Sequence, residues 1–183
     1  MRICPWSGKI QCPLHSTMNQ ITIELLTEDD IEQASLLMRE VISNTPYYND
    51  AAKNFFRTRL FTAGWIRDQL KQVSGDWRVI YLAAKDGDRI AAVATGWGVP
   101  ADGVFVWEWL LTSPDYRRQG VGERLGRELE TMVKGLGFHK AACDTRTNNT
   151  ESVPLLEKLG YHRAGELKDH WFHQDFYFWD KLI

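Results

Sequence analysis

The run Thr112-Ser-Pro-Asp-Tyr-Arg117-Arg-Gln-Gly120-Val-Gly122-Glu-Arg-Leu125 sets two arginines and two glycines between an apolar segment and an amphipathic one. The pattern reads as a strand, a proline-ended turn, an Arg/Gly loop and the first turn of a helix. Glycine at 120 and 122 lets the main chain come close to a bulky ligand. A helix N-terminus offers unpaired N–H groups and the positive end of its dipole to an anion. Arg117 and Arg118 add charge-assisted bonds to phosphate. The segment Arg117, Arg118, Gln119, Gly120, Val121 and Gly122 is therefore a candidate pyrophosphate site. A nucleotide P-loop requires Gly-Lys-Ser/Thr, which occurs nowhere in the chain. The dinucleotide fingerprint requires a third glycine three residues after the second, but here it stands one residue late, at Gly126. An ordinary strand–turn–helix with glycine in its turn is the competing reading.

What remains is R-x-x-G-x-G after a strand ending at proline, and this resembles the coenzyme A loop of the GNAT superfamily of N-acetyltransferases. The later run from Asp144 to Tyr161 is similar to a second motif of that family. It has Asn149, a small residue three positions on (Ser152), and a short helix ending in Leu159-Gly160-Tyr161. The two matches span Val104 to Ile183. The resemblance implies one α/β domain, with a mixed, mostly antiparallel central sheet flanked by helices. It implies acetyl-CoA as co-substrate, no metal, and transfer of acetyl to a primary amine of a small molecule or peptide. It assigns the thioester carbonyl to backbone N–H groups of Leu110, Leu111 and Thr112, the pyrophosphate to Arg117–Gly122, and the pantetheine arm to Asn149. A homodimer is left open.

One departure matters. Seven residues after the motif Asn, many members of the family carry a Tyr that protonates the leaving thiolate. Here that residue is Leu156, which has no proton to give. A non-catalytic acyl-CoA sensor or regulatory module of the same fold is the alternative this raises. Pro154 is a second departure, from which a late start of the helix and a looser Asn149 are expected.

Two carboxylates are candidates for the base that deprotonates the amine. Glu108 lies in Val104-Phe-Val-Trp-Glu-Trp-Leu-Leu. A carboxylate among such neighbours is costly to bury unless paired or protonated, and desolvation raises its pKa toward a useful range. Asp144 ends the next strand, five residues before Asn149, where some peptide-amine members of the family carry an acidic base. A structural ion pair or a solvated strand end is the alternative for each. Trp97, Trp107 and Trp109, among eight tryptophans, are candidates for an aromatic wall facing an amine or for core packing.

The elements that must position these residues follow from periodicity. Ile21–Leu26 reads as a strand. Thr27, with Asp30 three residues on, caps a helix whose apolar stripe is Ile31, Ala34, Leu37, Met38, Val41 and Ile42. Residues 49–73 read as one broken or two short helices, interrupted around Gly64. Trp77–Lys85 and Arg89–Val99 form a hairpin across Asp86-Gly87-Asp88 with both faces apolar, the mark of central strands. Val104–Leu111 is a third strand. In the helix after the loop, Glu123–Arg127 and Glu130–Lys134 are spaced as i,i+4 ion pairs. Strands over Phe138–Thr145, Tyr161–Leu167 and Trp171–Leu182 follow, with a helix over Ser152–Leu159.

The chain has 183 residues, with 44 % apolar and 25 % charged side chains, and is long enough for one full core. Its net charge of −2 lacks the basic excess of a nucleic-acid binder. No apolar run approaches the ~20 residues that span a bilayer. No secretory leader is evident, and three cysteines, an odd number, suit a reducing cytoplasm. Met1–Thr17 is expected to be a loose extension of a domain that starts at Met18. Within it, Cys4, Cys12 and His15 match no usual zinc spacing.

Overall fold

The computed structural model describes residues 21–71 and 76–183. The expected N-terminal extension, with Cys4, Cys12, His15 and the domain start at Met18, lies outside the described residues, as does Val73.

Seven strands form one sheet in the order β1-β2-β3-β4-β5-β7-β6. They are β1 (Thr22–Leu25), β2 (Arg78–Asp86), β3 (Arg89–Val99), β4 (Val104–Thr112), β5 (Lys140–Arg146), β6 (His162–Leu167) and β7 (Phe176–Leu182). Every neighbouring pair is antiparallel except β4–β5. The helices are α1 (Ile31–Asn44), α2 (Asp50–Phe55), α3 (Ala63–Lys71), α4 (Val121–Gly135) and α5 (Ser152–Leu159).

The sheet divides two cores. On one face α4 and α5 cover Ile80, Leu82, Ala92, Ala94, Phe105, Trp107 and Cys143. On the other, the segment from α1 to α3 covers Tyr81, Ala83, Val93 and Leu111. Alternate residues of β2 thus enter opposite cores, as its two apolar faces require. The predicted stripe of α1 is buried throughout. Thr27 donates from both its N–H and its hydroxyl to Asp30, closing a single 3₁₀ turn before α1. Lys85 then ties this start to the sheet through Asp30 and Glu24, at 2.7 and 2.6 Å.

Four local expectations are revised. The break between α2 and α3 falls at Phe61–Thr62 and not at Gly64, because α2 ends in a π turn, Phe56–Leu60, closed by Phe61 N–H to Phe56 O at 2.8 Å. Glu130 bonds Lys181 of β7 at 2.6 Å and not Lys134, whereas the Glu123–Arg127 pair forms. The last strand begins at Phe176, because Phe172 and His173 are left-handed and end any extended run there. Pro154 does not delay α5, which starts at Ser152: the proline occupies the first turn, where its missing N–H costs nothing.

Candidate functional site

The site starts from an irregularity in β4. Thr95 of β3 pairs with Trp109, but Gly96 pairs with Trp107, so Glu108 is an extra residue in β4. Such a bulge bends its strand and re-aims side chains. Gly96 permits it: a Cβ there would lie 2.4 Å from Val106 O and 2.5 Å from the Phe105 ring. The bulge puts Trp107 in the α4–α5 core and Trp109 in the opposite one. Glu108 falls on the α1–α3 face, where the indole N–H of Trp97 donates to it at 3.0 Å.

Just before the bulge β4 and β5 part. Their pairing covers Val104–Lys140, Phe105–Ala141 and Val106–Ala142, after which both strands continue without each other. Ser113 N–H bonds Ala91 O at 2.9 Å, which fixes the phase of the ladder with β3. By alternation the main-chain groups of Leu111 also face β3, while those of Leu110 and Thr112 face the gap. Of the three residues expected to use their main chain, Leu110 and Thr112 are therefore the two turned toward the opening.

The Arg/Gly loop stands at the end of this gap. Arg118 (φ 57°) and Gly120 (φ 78°) are both left-handed, and no side chain caps the N-terminus of α4. Nothing lies within 4 Å of the space a Cβ on Gly120 would take. Gly122 lets α4 settle on β4, its Cβ position 3.3 Å from Thr112 Oγ1. Arg117 donates to Thr112 O at 3.3 Å and bonds Glu151 at 3.2 Å, so its guanidinium bridges the end of β4 to the start of α5. Arg118 and Gln119 are exposed. An open cradle of left-handed turns, an uncapped helix and two arginines fits a pyrophosphate.

Asn149 is buried and caps α5. Its Oδ1 accepts from the N–H groups of Glu151 and Ser152, and its Nδ2 donates to Ser152 Oγ at 2.9 Å. Leu156, one turn on, is 5 % exposed and belongs to the core that holds Trp107 and Tyr161.

The mouth of the gap on the α1–α3 face gathers the titratable groups. Glu108 and Asp144 both reach solvent, yet protein crowds their flanks. Loss of surrounding water raises the Glu108 pKa above the ordinary carboxylate value, the Trp97 bond offsets part of that, and the charge of Asp144 adds to the rise. Desolvation likewise raises Asp144, against the pull of His170, Arg146 and a bond from Trp171. Arg146 is 3 % exposed, with its guanidinium 3.3 Å from the centre of the Tyr48 ring and 4.7 Å from that of Phe176. Burial lowers its pKa to about 10, which leaves it charged at neutral pH. Tyr48 is pushed up to about 12 by its own burial.

Two loops close over this mouth. Gln174 accepts from Arg146 Nε at 2.8 Å and donates to Tyr47 O at 3.0 Å. Asn49 donates to Phe172 O at 2.9 Å, and Phe172 packs on Phe55 and Phe56. The π turn brings Phe56 and Phe61 onto one face, both edge-on to Trp109 at 4.8 and 4.9 Å. Trp97, Trp107 and Trp109 thus divide their roles: Trp97 touches Glu108 and stacks on Trp77, while the other two pack cores. Arg146, Gln174, His170 and Trp171 were not legible as site residues. They lie in loops or at strand ends and meet only through contacts of high sequence separation.

A family profile described as "Acetyltransferase (GNAT) family" matches residues 38–161, more than half of the chain. The chain belongs to the GNAT family of acetyltransferases. The GNAT fold is shared with solved structures of low sequence identity. The PaiA N-acetyltransferase from Thermoplasma acidophilum, solved in complex with coenzyme A, is 15 % identical over 89 % of this chain and 99 % of that one, with a TM-score of 0.75. A GNAT-family acetyltransferase from Streptococcus pneumoniae is 19 % identical over 90 % and 99 %, with a TM-score of 0.74. The ribosomal-protein-S18-alanine N-acetyltransferase from Escherichia coli is 19 % identical over 89 % and 94 %, with a TM-score of 0.64. No curated protein matches the chain by sequence. Among the described residues no helix is long and apolar enough to cross a membrane, and no group of three or more His, Cys, Asp or Glu is placed to hold a metal ion.

Proposed function

We propose that this GNAT protein moves an acetyl group from acetyl-CoA to a primary amine of a small molecule or peptide. The observation that carries the reading is the placement of Glu108 and Asp144 on one face at the mouth of the β4–β5 gap, with the Arg117–Gly122 cradle at its end. In this reading the cradle holds the pyrophosphate, and the pantetheine arm runs along the gap, where Leu110 and Thr112 offer it main-chain groups. A donor N–H from Leu110 is aimed where charge develops on the thioester oxygen. The amine enters on the α1–α3 face. Glu108, with a pKa raised toward neutrality, takes its proton, and Asp144 holds the incoming ammonium. The loops joined by Asn49–Phe172 and Tyr47–Gln174 narrow this entrance to a slender amine, such as a small molecule or a chain end. The buried thiol of Cys143 suits a reducing compartment, the cytoplasm.

An amine panel with acetyl-CoA, read by release of free thiol, tests this. Thiol release that depends on an amine supports transfer. Leu156, apolar and buried, favours a second reading, an acyl-CoA sensor without turnover. Binding of acetyl-CoA by calorimetry, with no thiol released across the panel, would establish the sensor instead.

A further inference from the structure

We propose that Tyr47 supplies the proton to the departing CoA thiolate, with buried Arg146 and half-buried Gln174 as its positioning residues. This rests on the acetyl-transfer reading above. A thiol of ordinary pKa about 8.5 leaves more readily when a proton donor stands beside the sulfur, and α5 offers none at Leu156.

The chain has six tyrosines, and the structure disposes of five. Tyr48 is sealed beneath Arg146. Tyr81 lies in the α1–α3 core. Tyr161 is in the core of the opposite face, its hydroxyl near Glu130 and Cys143. Tyr116 donates to Asp86 at 2.9 Å. Tyr177 packs between Trp179 and Arg163. Tyr47 differs. Its phenol oxygen is 2.8 Å from Thr150 Oγ1, so a loop 103 residues away in sequence lays a phenol against the residue that follows Asn149. Either oxygen of that pair can donate, so when Thr150 donates to the phenol oxygen the phenol's own O–H is free to turn away from it.

The phenol is held from behind. Gln174 fixes the Tyr47 carbonyl and is itself fixed by Arg146, whose Nη2 has no hydrogen-bond partner among the described residues. A buried, half-satisfied guanidinium is costly, and orienting Tyr47 through Gln174 accounts for its presence. In the step itself the C–S bond breaks, the sulfur keeps the electron pair and takes the Tyr47 proton, and the phenolate regains a proton from water. The proton of the amine leaves separately, through Glu108.

Tyr47→Phe tests the assignment with an active amine. The expected result is a fall in kcat of roughly 10²-fold, the low end of general acid catalysis, with KM for acetyl-CoA unchanged. Leu156→Tyr in the Tyr47→Phe background should recover part of kcat. If Tyr47→Phe does not fold, fluorinated tyrosine at position 47, a stronger proton donor of nearly the same size, should change kcat with KM for acetyl-CoA unchanged. A folded Tyr47→Phe with wild-type kcat, or a kcat unmoved by fluorination, overturns the proposal alone. A wild type that releases no thiol with any amine overturns the transfer reading and this one with it.

Discussion

Glu108 and Asp144 occupy equivalent positions on two strands that have stopped pairing. Each lies two residues beyond the last rung, Val106–Ala142, and both face the α1–α3 side. The charge of Asp144 adds to the rise in the Glu108 pKa, and a cation beside the two relieves it. In the proposed reaction one carboxylate holds the ammonium while the other accepts its proton.

Replacing Glu108 by Gln keeps the bulge and its shape but removes the proton acceptor. The expected result is a fall in kcat of about 10²–10⁴-fold, with acetyl-CoA affinity unchanged by calorimetry. Asp144→Asn should act mainly on KM for the amine. If the larger kcat loss appears at Asp144, the two roles are exchanged.

The same carboxylates oppose folding at neutral pH. Each has a raised pKa in the folded state, so the stability it contributes is full below the unfolded-state pKa of about 4 to 4.5 and is lost as pH rises through the higher folded value. Glu108→Gln and Asp144→Asn should therefore melt above wild type at pH 7 and lose that advantage near pH 4. Because both carboxylates reach solvent, which screens their charge, the rise in Tm should be small. Melting curves at the two pH values decide it, and a lower Tm at pH 7 would contradict the desolvation account.

Gly120→Val places a side chain in the open cradle and forces a β-branched residue into the left-handed region, at a cost of at least about 1–2 kcal/mol. Affinity for CoA should drop by at least about tenfold, or 1.4 kcal/mol, by calorimetry on folded protein. Undiminished binding would move the pyrophosphate elsewhere.

Gly126 is the point where α4 meets the bulge. A Cβ there would lie 2.8 Å from the Trp107 ring and 3.0 Å from Leu159. Gly126→Val should destabilise by about 1–3 kcal/mol through overpacking. It should also lower activity, because the Trp107 indole that it displaces donates to Trp109 O across Glu108. Denaturant titration beside an activity assay measures both.

Local chemistry made much of this molecule readable from its residues. The Thr27–Asp30 cap, the stripe of α1, the two-faced hairpin β2–β3 and the Arg/Gly turn into α4 each depend on neighbours within a few positions. The π turn was not readable, because a single extra residue in so short a helical segment leaves too few turns for a change of period to show. Nor was the division of labour among Trp97, Trp107 and Trp109. Simple alternation puts 107 and 109 on one face, and only the bulge at Glu108, set by the close approach at Gly96, separates them. The ring of Tyr47, Gln174, Arg146 and Asn49 is assembled across more than a hundred residues of chain, and no local rule pairs them.

The parting of β4 from β5 gives the sheet an edge in its own interior. An exposed edge strand ordinarily invites another chain to add to it, and proteins blunt that hazard with charge, bulges or cover. Here the vulnerable backbone lies between two halves of one sheet, walled by α4 and α5 on one face and roofed by the joined loops on the other. A foreign strand cannot slide in, whereas a thin, amide-bearing arm can. The proposed binding surface is thus main chain that is not presented to neighbours in solution.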